Sequence, residues 1–174
     1  GFVNPVLVDS TDVIVAGLTL NASTISNYAD EATIRAWDDR LTIEDNIIDC
    51  YFDVLYKGND HFVVRRNRMT TGKVGFTAQP LAATDVTVEG NRIVPGSSPA
   101  ADSAGIYLTG VNGGVMRGNV ISGFTGGNAI GGSNLTSLLI EENQLAGCSK
   151  GVNIWGSTTF IEARENLITG HLNE

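Results

Sequence analysis

Six segments of this chain end in an asparagine that is followed, two positions later, by an aliphatic residue or methionine. They span 41–46, 62–67, 86–91, 114–119, 138–143 and 161–166, so the shared residues are Asn46, Asn67, Asn91, Asn119, Asn143 and Asn166. A seventh copy, 13–18, carries Leu18 in the same slot. Successive slots lie 28, 21, 24, 28, 24 and 23 residues apart, a period that belongs to solenoids. Almost the whole chain is therefore one repeated unit, and any fold it adopts must stack copies of that unit.

Inside the unit, the residues five and three places before the asparagine are mainly apolar: Leu41 and Ile43, Phe62 and Val64, Val86 and Val88, Leu138 and Ile140. A period of two marks a strand with one buried face. A second inward segment begins two places after the asparagine, at Ile48, Met69, Ile93, Ile121, Leu145 or Ile168. A third strand candidate precedes the unit, at 32–36, 105–109 and 151–155. Three short strands per turn predict an all-β, single-stranded parallel β-helix of about seven coils, a solenoid in which each coil buries its interior against the next. No linker or change in composition divides residues 1–174, which are expected to form a single domain.

The asparagine has a task at the bend between strands, where it tolerates unusual backbone angles and bonds free backbone groups. Stacked about 4.8 Å apart, the asparagines can also bond one another. Ordinary exposed turn asparagines are the alternative. Two places before each slot the residues read Glu44, Arg65, Glu89, Arg117, Glu141 and Arg164. In parallel register this column alternates in sign, which favours neighbouring strands of opposite charge.

The phrases Val86-Thr87-Val88-Glu89-Gly90-Asn91-Arg92-Ile93 and Gly105-Ile106-Tyr107-Leu108-Thr109-Gly110 resemble the right-handed parallel β-helix superfamily. That group includes pectate-lyase-like enzymes, polygalacturonases, alginate epimerases and phage tailspikes, and the resemblance runs over roughly residues 3–170. It implies a right-handed coil, and a polysaccharide partner in an extracellular, cell-surface or virion setting. Structural and adhesive members imply the other class of function, a non-catalytic rigid oligomeric rod.

A formal charge of −8 disfavours nucleic acid and anionic membrane surfaces as partners, and a strongly anionic polymer unless basic residues cluster. No apolar run is long enough to span a bilayer. Neither end shows a cap, and open coil edges invite association. The sequence is therefore expected to be a segment of a longer protein, or to be covered at its ends by further domains or by homotrimer formation. Cys50 and Cys148 fall in coils four steps apart, about 19 Å and beyond disulfide reach. Two cysteines and two distant histidines give no zinc spacing, and no calcium-binding glycine–aspartate repeat is present. No cofactor or metal is expected.

Aligning units on the asparagine slot stacks Asp39 on Asp60, with Asp38 and Asn59 one place earlier and Arg40 and His61 one place later. Two carboxylates about 5 Å apart suit retaining glycoside hydrolysis and about 6.5–9.5 Å suit inversion; carboxylates this close should also split their pKa values, leaving one able to act as an acid. The group is loosely similar to the polygalacturonase site, although the Arg-x-Lys segment is missing. That resemblance implies Asp39 or Asp60 as the acid, the other with Asp38 activating water, and Arg40 and His61 positioning the sugar. The alternative is that these residues form turns between strands. Trp37, Tyr56, Tyr107 and Trp155, with Asn59, form the candidate substrate-binding set. The rings either stack on sugars, cover a contact between subunits, or belong to the core. His171 reads as surface decoration.

Overall fold

The computed structural model describes residues 6–21, 33–57, 60–78 and 83–170. Every strand pair among them is parallel. The chain winds as a right-handed single-stranded β-helix of about six turns with three faces. The second face is the most regular, with seven strands: Ile14–Ala16, Leu41–Glu44, Asp60–Arg65, Ala83–Glu89, Val111–Arg117, Thr136–Glu141 and Thr159–Arg164. The third face holds Thr19–Asn21, Arg92–Pro95, Val120–Ser122, Gln144–Ala146 and Leu167–Thr169. The first face holds Val6–Val8, Ile34–Ala36, Ala104–Thr109, Asn128–Ser133 and Lys150–Trp155. Two long strands, Ile47–Tyr56 and Arg68–Ala78, bend round a corner and serve the third face and then the first. Their register shifts between Cys50 and Phe52, at that bend.

The asparagines form a continuous ladder, buried from Asn46 to Asn143. Each backbone N–H donates to the next coil's side-chain oxygen: Asn46 to Asn67, Asn67 to Asn91, Asn91 to Asn119, Asn119 to Asn143 and Asn143 to Asn166, all at 3.0 Å. Each side-chain amide nitrogen donates both to that same oxygen and to a backbone carbonyl one coil back, such as Val64 for Asn91 and Val88 for Asn119. A bend removes backbone groups from the sheet ladder, and buried groups must find partners elsewhere. The amide, carrying both an acceptor and two donors, supplies them. Leu18 needs only the first half of the arrangement, and its N–H donates to Asn46 Oδ1 at 2.9 Å.

The unusual backbone angle lies one residue earlier than expected. Gly17, Asp45, Arg66, Gly90, Gly118, Glu142 and Glu165, each directly before the slot, have φ between 54° and 70°. The asparagines themselves do not. Glycine takes this left-handed conformation freely, whereas Asp45, Arg66, Glu142 and Glu165 do so against a cost of about 1–2 kcal/mol each. The ladder that follows fixes the turn in place.

Inside the coils, like stacks on like. Ile43, Val64, Val88, Met116 and Ile140 form one fully buried column, and Ile48, Met69, Ile93, Ile121 and Leu145 another. Burial of such side chains contributes about 1.5–3 kcal/mol apiece. On the outside of the second face, Arg65 meets Glu44 at 2.6 Å, Arg117 meets Glu89 at 3.0 Å and Glu141 at 3.9 Å, and Arg164 meets Glu141 at 2.8 Å. Alternating sign thus becomes alternating ion pairs, each worth at most about 1 kcal/mol where exposed, which favour one register over its neighbours.

The ladder makes a graded stability prediction. Asn91→Leu leaves Asn67 N–H, Asn67 Nδ2 and the Val64 carbonyl short of partners in the interior, at about 1–3 kcal/mol for each group left unmet. Asn166→Leu acts on a part-exposed coil where water replaces the bonds. Urea unfolding should therefore show a markedly larger loss for Asn91→Leu than for Asn166→Leu; equal losses would rule out burial of the ladder as the reason for its strength.

Candidate functional site

The corner between the first and second faces carries the acidic group read from the sequence. It turns through its own column of left-handed residues: Asp12, Arg40, His61, Asp85, Gly113, Ser137 and Phe160, with φ between 50° and 85°. Asp39 does lie beside Asp60 in adjacent coils: Arg40 N–H donates to the Asp60 carbonyl, and Asp60 N–H donates to Asp39 Oδ1, both at 3.0 Å. The Asp39 carboxylate is thus a corner acceptor for backbone. Asp60 Oδ1 accepts from the Thr84 hydroxyl at 2.5 Å and faces His61 Nδ1 at 2.6 Å. His61 Nε2 lies 3.4 Å from Asp85 Oδ2, so the ring sits between two carboxylates. Arg40 grips Asp12 in the preceding coil through two bonds of 2.7 and 2.8 Å. Asp38 is half-buried alongside. Asn59 and His171 lie outside the described residues.

The expectation of Asp60 as an acid changes with this geometry. The Thr84 hydroxyl, and then His61, hold the Asp60 carboxyl below the usual aspartate range. Asp60 is therefore a carboxylate at neutral pH and lacks the raised pKa that a general acid needs. Arg40 makes two bonds to Asp12 and also interacts electrostatically with Asp39 and Asp60. Asp60, His61 and Asp85 are the one group among the described residues whose donor atoms, all within 4.8 Å of one another, could hold a metal ion. They are exposed or half-exposed, and the imidazole already bridges the two carboxylates.

The four aromatic rings do not share one surface. Tyr56 is a core residue: it is fully buried, stacks on Phe62 at 4.0 Å between centroids, and donates its hydroxyl to the Asp60 carbonyl. The expectation of an exposed ring at Tyr56 fails because its position pairs with Ala36 and Ala78, which point inward and leave room for a large side chain. Trp37 is exposed but carries the Arg35 guanidinium 4.2 Å and the Lys57 ammonium 5.0 Å from its ring centroid. Trp37 directly follows Ile34–Ala36 and Trp155 ends Lys150–Trp155, strands five steps apart on the first face, about 24 Å at one coil spacing per step.

Tyr107 and Trp155 do meet, with centroids 5.7 Å apart and planes tilted by 47°. Between their strands lies Gly131, paired with Tyr107 on one side and Asn153 on the other, and the Tyr107 ring leans across this coil; a Cβ there would touch the ring at 3.4 Å. The two rings form one wall of an open groove of about 580 Å3 on the first face. Lys73, Asn128, Lys150 and Asn153 add polar and charged groups to the lining. The sequence pattern pointed to the two rings but not to these four, because they come from three different coils. Lys73 follows the bend of a long strand, where no repeat position corresponds to it.

The model of the family described as "Right handed beta helix region" matches residues 6–168. The chain belongs to this family. No curated protein and no solved structure matches it. This right-handed β-helix is of the carbohydrate-binding type, consistent with superfamilies of carbohydrate-active enzymes.

The carboxyl that burial does push up is Asp53. It is fully buried in the bend of Ile47–Tyr56, away from the groove lining, and neither oxygen has a well-formed hydrogen bond. Desolvation raises its pKa well above the ordinary value, Cys50 and Asp49 add to the rise, and the Cys50 backbone offsets it weakly. In the unfolded chain this group ionises near 3.8. The folded state therefore keeps a proton that the unfolded state loses, and Asp53 subtracts stability as pH rises from about 4 toward its folded value. Compared with Asp53→Asn, the wild type should lose about 1.4 kcal/mol per pH unit over that window. Urea midpoints at several pH values check this; a pH-independent difference between the two proteins would contradict a buried neutral acid.

Proposed function

We propose that this β-helix recognises a polysaccharide at the groove of its first face, in an extracellular, cell-surface or virion setting. The observation that carries the reading is the Tyr107–Trp155 pair lining one groove together with hydrogen-bonding side chains. Aromatic rings cover the apolar faces of a sugar, and amides such as Asn128 and Asn153 satisfy its hydroxyls, the combination that small-ligand sites use for affinity and orientation. A groove open along a sheet face also suits a chain ligand that continues past either end. A contact with another copy of the protein is the competing use of these rings, but the lining of lysine and asparagine beside them favours a hydroxyl-rich ligand.

Hydrolysis is the second reading, supported by the adjacency of Asp39, Asp60 and His61. It is weaker than binding because the Asp60 carboxyl is held ionised and Asp39 already bonds backbone. One screen separates the two. The protein is exposed to neutral and uronic-acid polysaccharides, and binding, new reducing ends and unsaturated products are followed separately. Trp155→Ala should lower binding roughly tenfold, the loss of one stacking contact of about 1–1.5 kcal/mol. If products form, Asp39→Asn and Asp60→Asn should retain binding and lose most turnover. Binding without products supports recognition alone, and binding unaffected by Trp155→Ala would place the ligand elsewhere.

A further inference from the structure

The groove carries a charge balance opposite to that of the protein. The chain as a whole has a formal charge of −8, yet the groove is lined by two lysines, Lys73 and Lys150, and one described acid, Asp102. Lys73 and Asp102 stand 3.4 Å apart and largely offset each other. Lys150 has no ion-pair partner among the described residues. It differs in this from the arginines of the second face, which are tied to acids of neighbouring coils, as Arg65, Arg117 and Arg164 are. Lys150 begins the strand that ends in Trp155, so the strand that supplies the stacking ring also sets the ammonium.

We infer that the groove reads an anionic substituent on its saccharide, a carboxylate or a sulfate, with Lys150 as the specificity-determining residue. This deepens the polysaccharide reading and rests on it. The net negative charge does not forbid such a ligand. At physiological salt, charges more than about 8 Å away are largely screened, so acids on distant coils count for less than an ammonium at the rim. An ammonium offers three donors to carboxylate or sulfate oxygens, and these charge-assisted bonds are stronger than those to neutral hydroxyls. The Lys73–Asp102 pair flanks the site, so the ligand's anion meets one cation with no ion pair among the described residues rather than a broad basic patch.

The test is a panel of neutral, uronate-containing and sulfated oligosaccharides, measured by calorimetry with the wild type, Lys150→Gln, Trp155→Ala and Arg92→Gln. Arg92 is an exposed cation of the third face and does not line the groove, so Arg92→Gln controls for loss of net positive charge. The wild type should bind at least one anionic class more tightly than its neutral counterparts. Lys150→Gln should remove that preference, lowering anionic affinity about five- to tenfold while leaving neutral affinity within twofold. Arg92→Gln should change neither, and raising the salt should reproduce the Lys150→Gln result in the wild type. Trp155→Ala should weaken both kinds of ligand. The uronate and sulfate arms identify which anion is read. Binding of neutral sugars with no anionic preference, or a preference unchanged in Lys150→Gln, would overturn this inference and leave the polysaccharide reading standing. Failure of every saccharide in the panel to bind would overturn both.

Discussion

The fold depends on one hydrogen-bond problem, the backbone stranded at each bend. A coil of three short strands must turn sharply, and at a turn the backbone leaves the sheet ladder while still facing a dry interior. The left-handed residue before each asparagine makes the turn, and the amide behind it completes the bonding. Because each side-chain oxygen serves the preceding asparagine and each amide nitrogen reaches back to a carbonyl, one coil's corner is incomplete without its neighbour. Satisfied polar groups in a low-dielectric interior also reinforce one another. The ladder therefore couples the coils, and the stacked Ile, Val and Met columns are held in register by it as much as by their own packing.

That shared register creates every surface the protein can use. Once the coils are aligned, the second face becomes a column of ion pairs and the corner before it a column of left-handed residues. The first face becomes the place where side chains from separate coils converge. The acidic corner and the groove illustrate two outcomes of the same stacking. At the corner, Asp39, Asp60, His61, Asp85, Arg40 and Asp12 consume one another's bonding capacity across coils. At the groove, two rings meet across the coil of Gly131, and an exposed lysine has no ion pair among the described residues. Proximity alone does not make a site; unspent bonding capacity does.

The fold was legible because it is written many times over. Each repeat reports the same period, the same apolar pair and the same asparagine, so irregular copies such as the one ending in Leu18 are outvoted. The stacking of Asp39 on Asp60 was legible for the same reason, since both sit at one distance from the slot. Their bonding was not. Whether a carboxylate caps a backbone N–H or stays free is decided by side-chain directions at a left-handed corner, and the repeat does not encode those. Tyr56 shows the same limit: small residues in the adjoining coils, Ala36 and Ala78, make space inside for a ring that composition would place outside.

The sequence by itself determined the architecture: three strands per turn, parallel stacking, corner asparagines and an outward column of alternating charge. It could do so because those features depend on spacing and hydrophobic period, both of which survive without coordinates. Only the tertiary structure decided which charged and aromatic groups remained available. Lys73 and Tyr107 lie far along the chain from the strand that carries Lys150 and Trp155, and they come together because coils stack at one spacing. Availability is a property of neighbours across coils, and it exists only after the coils have closed on each other.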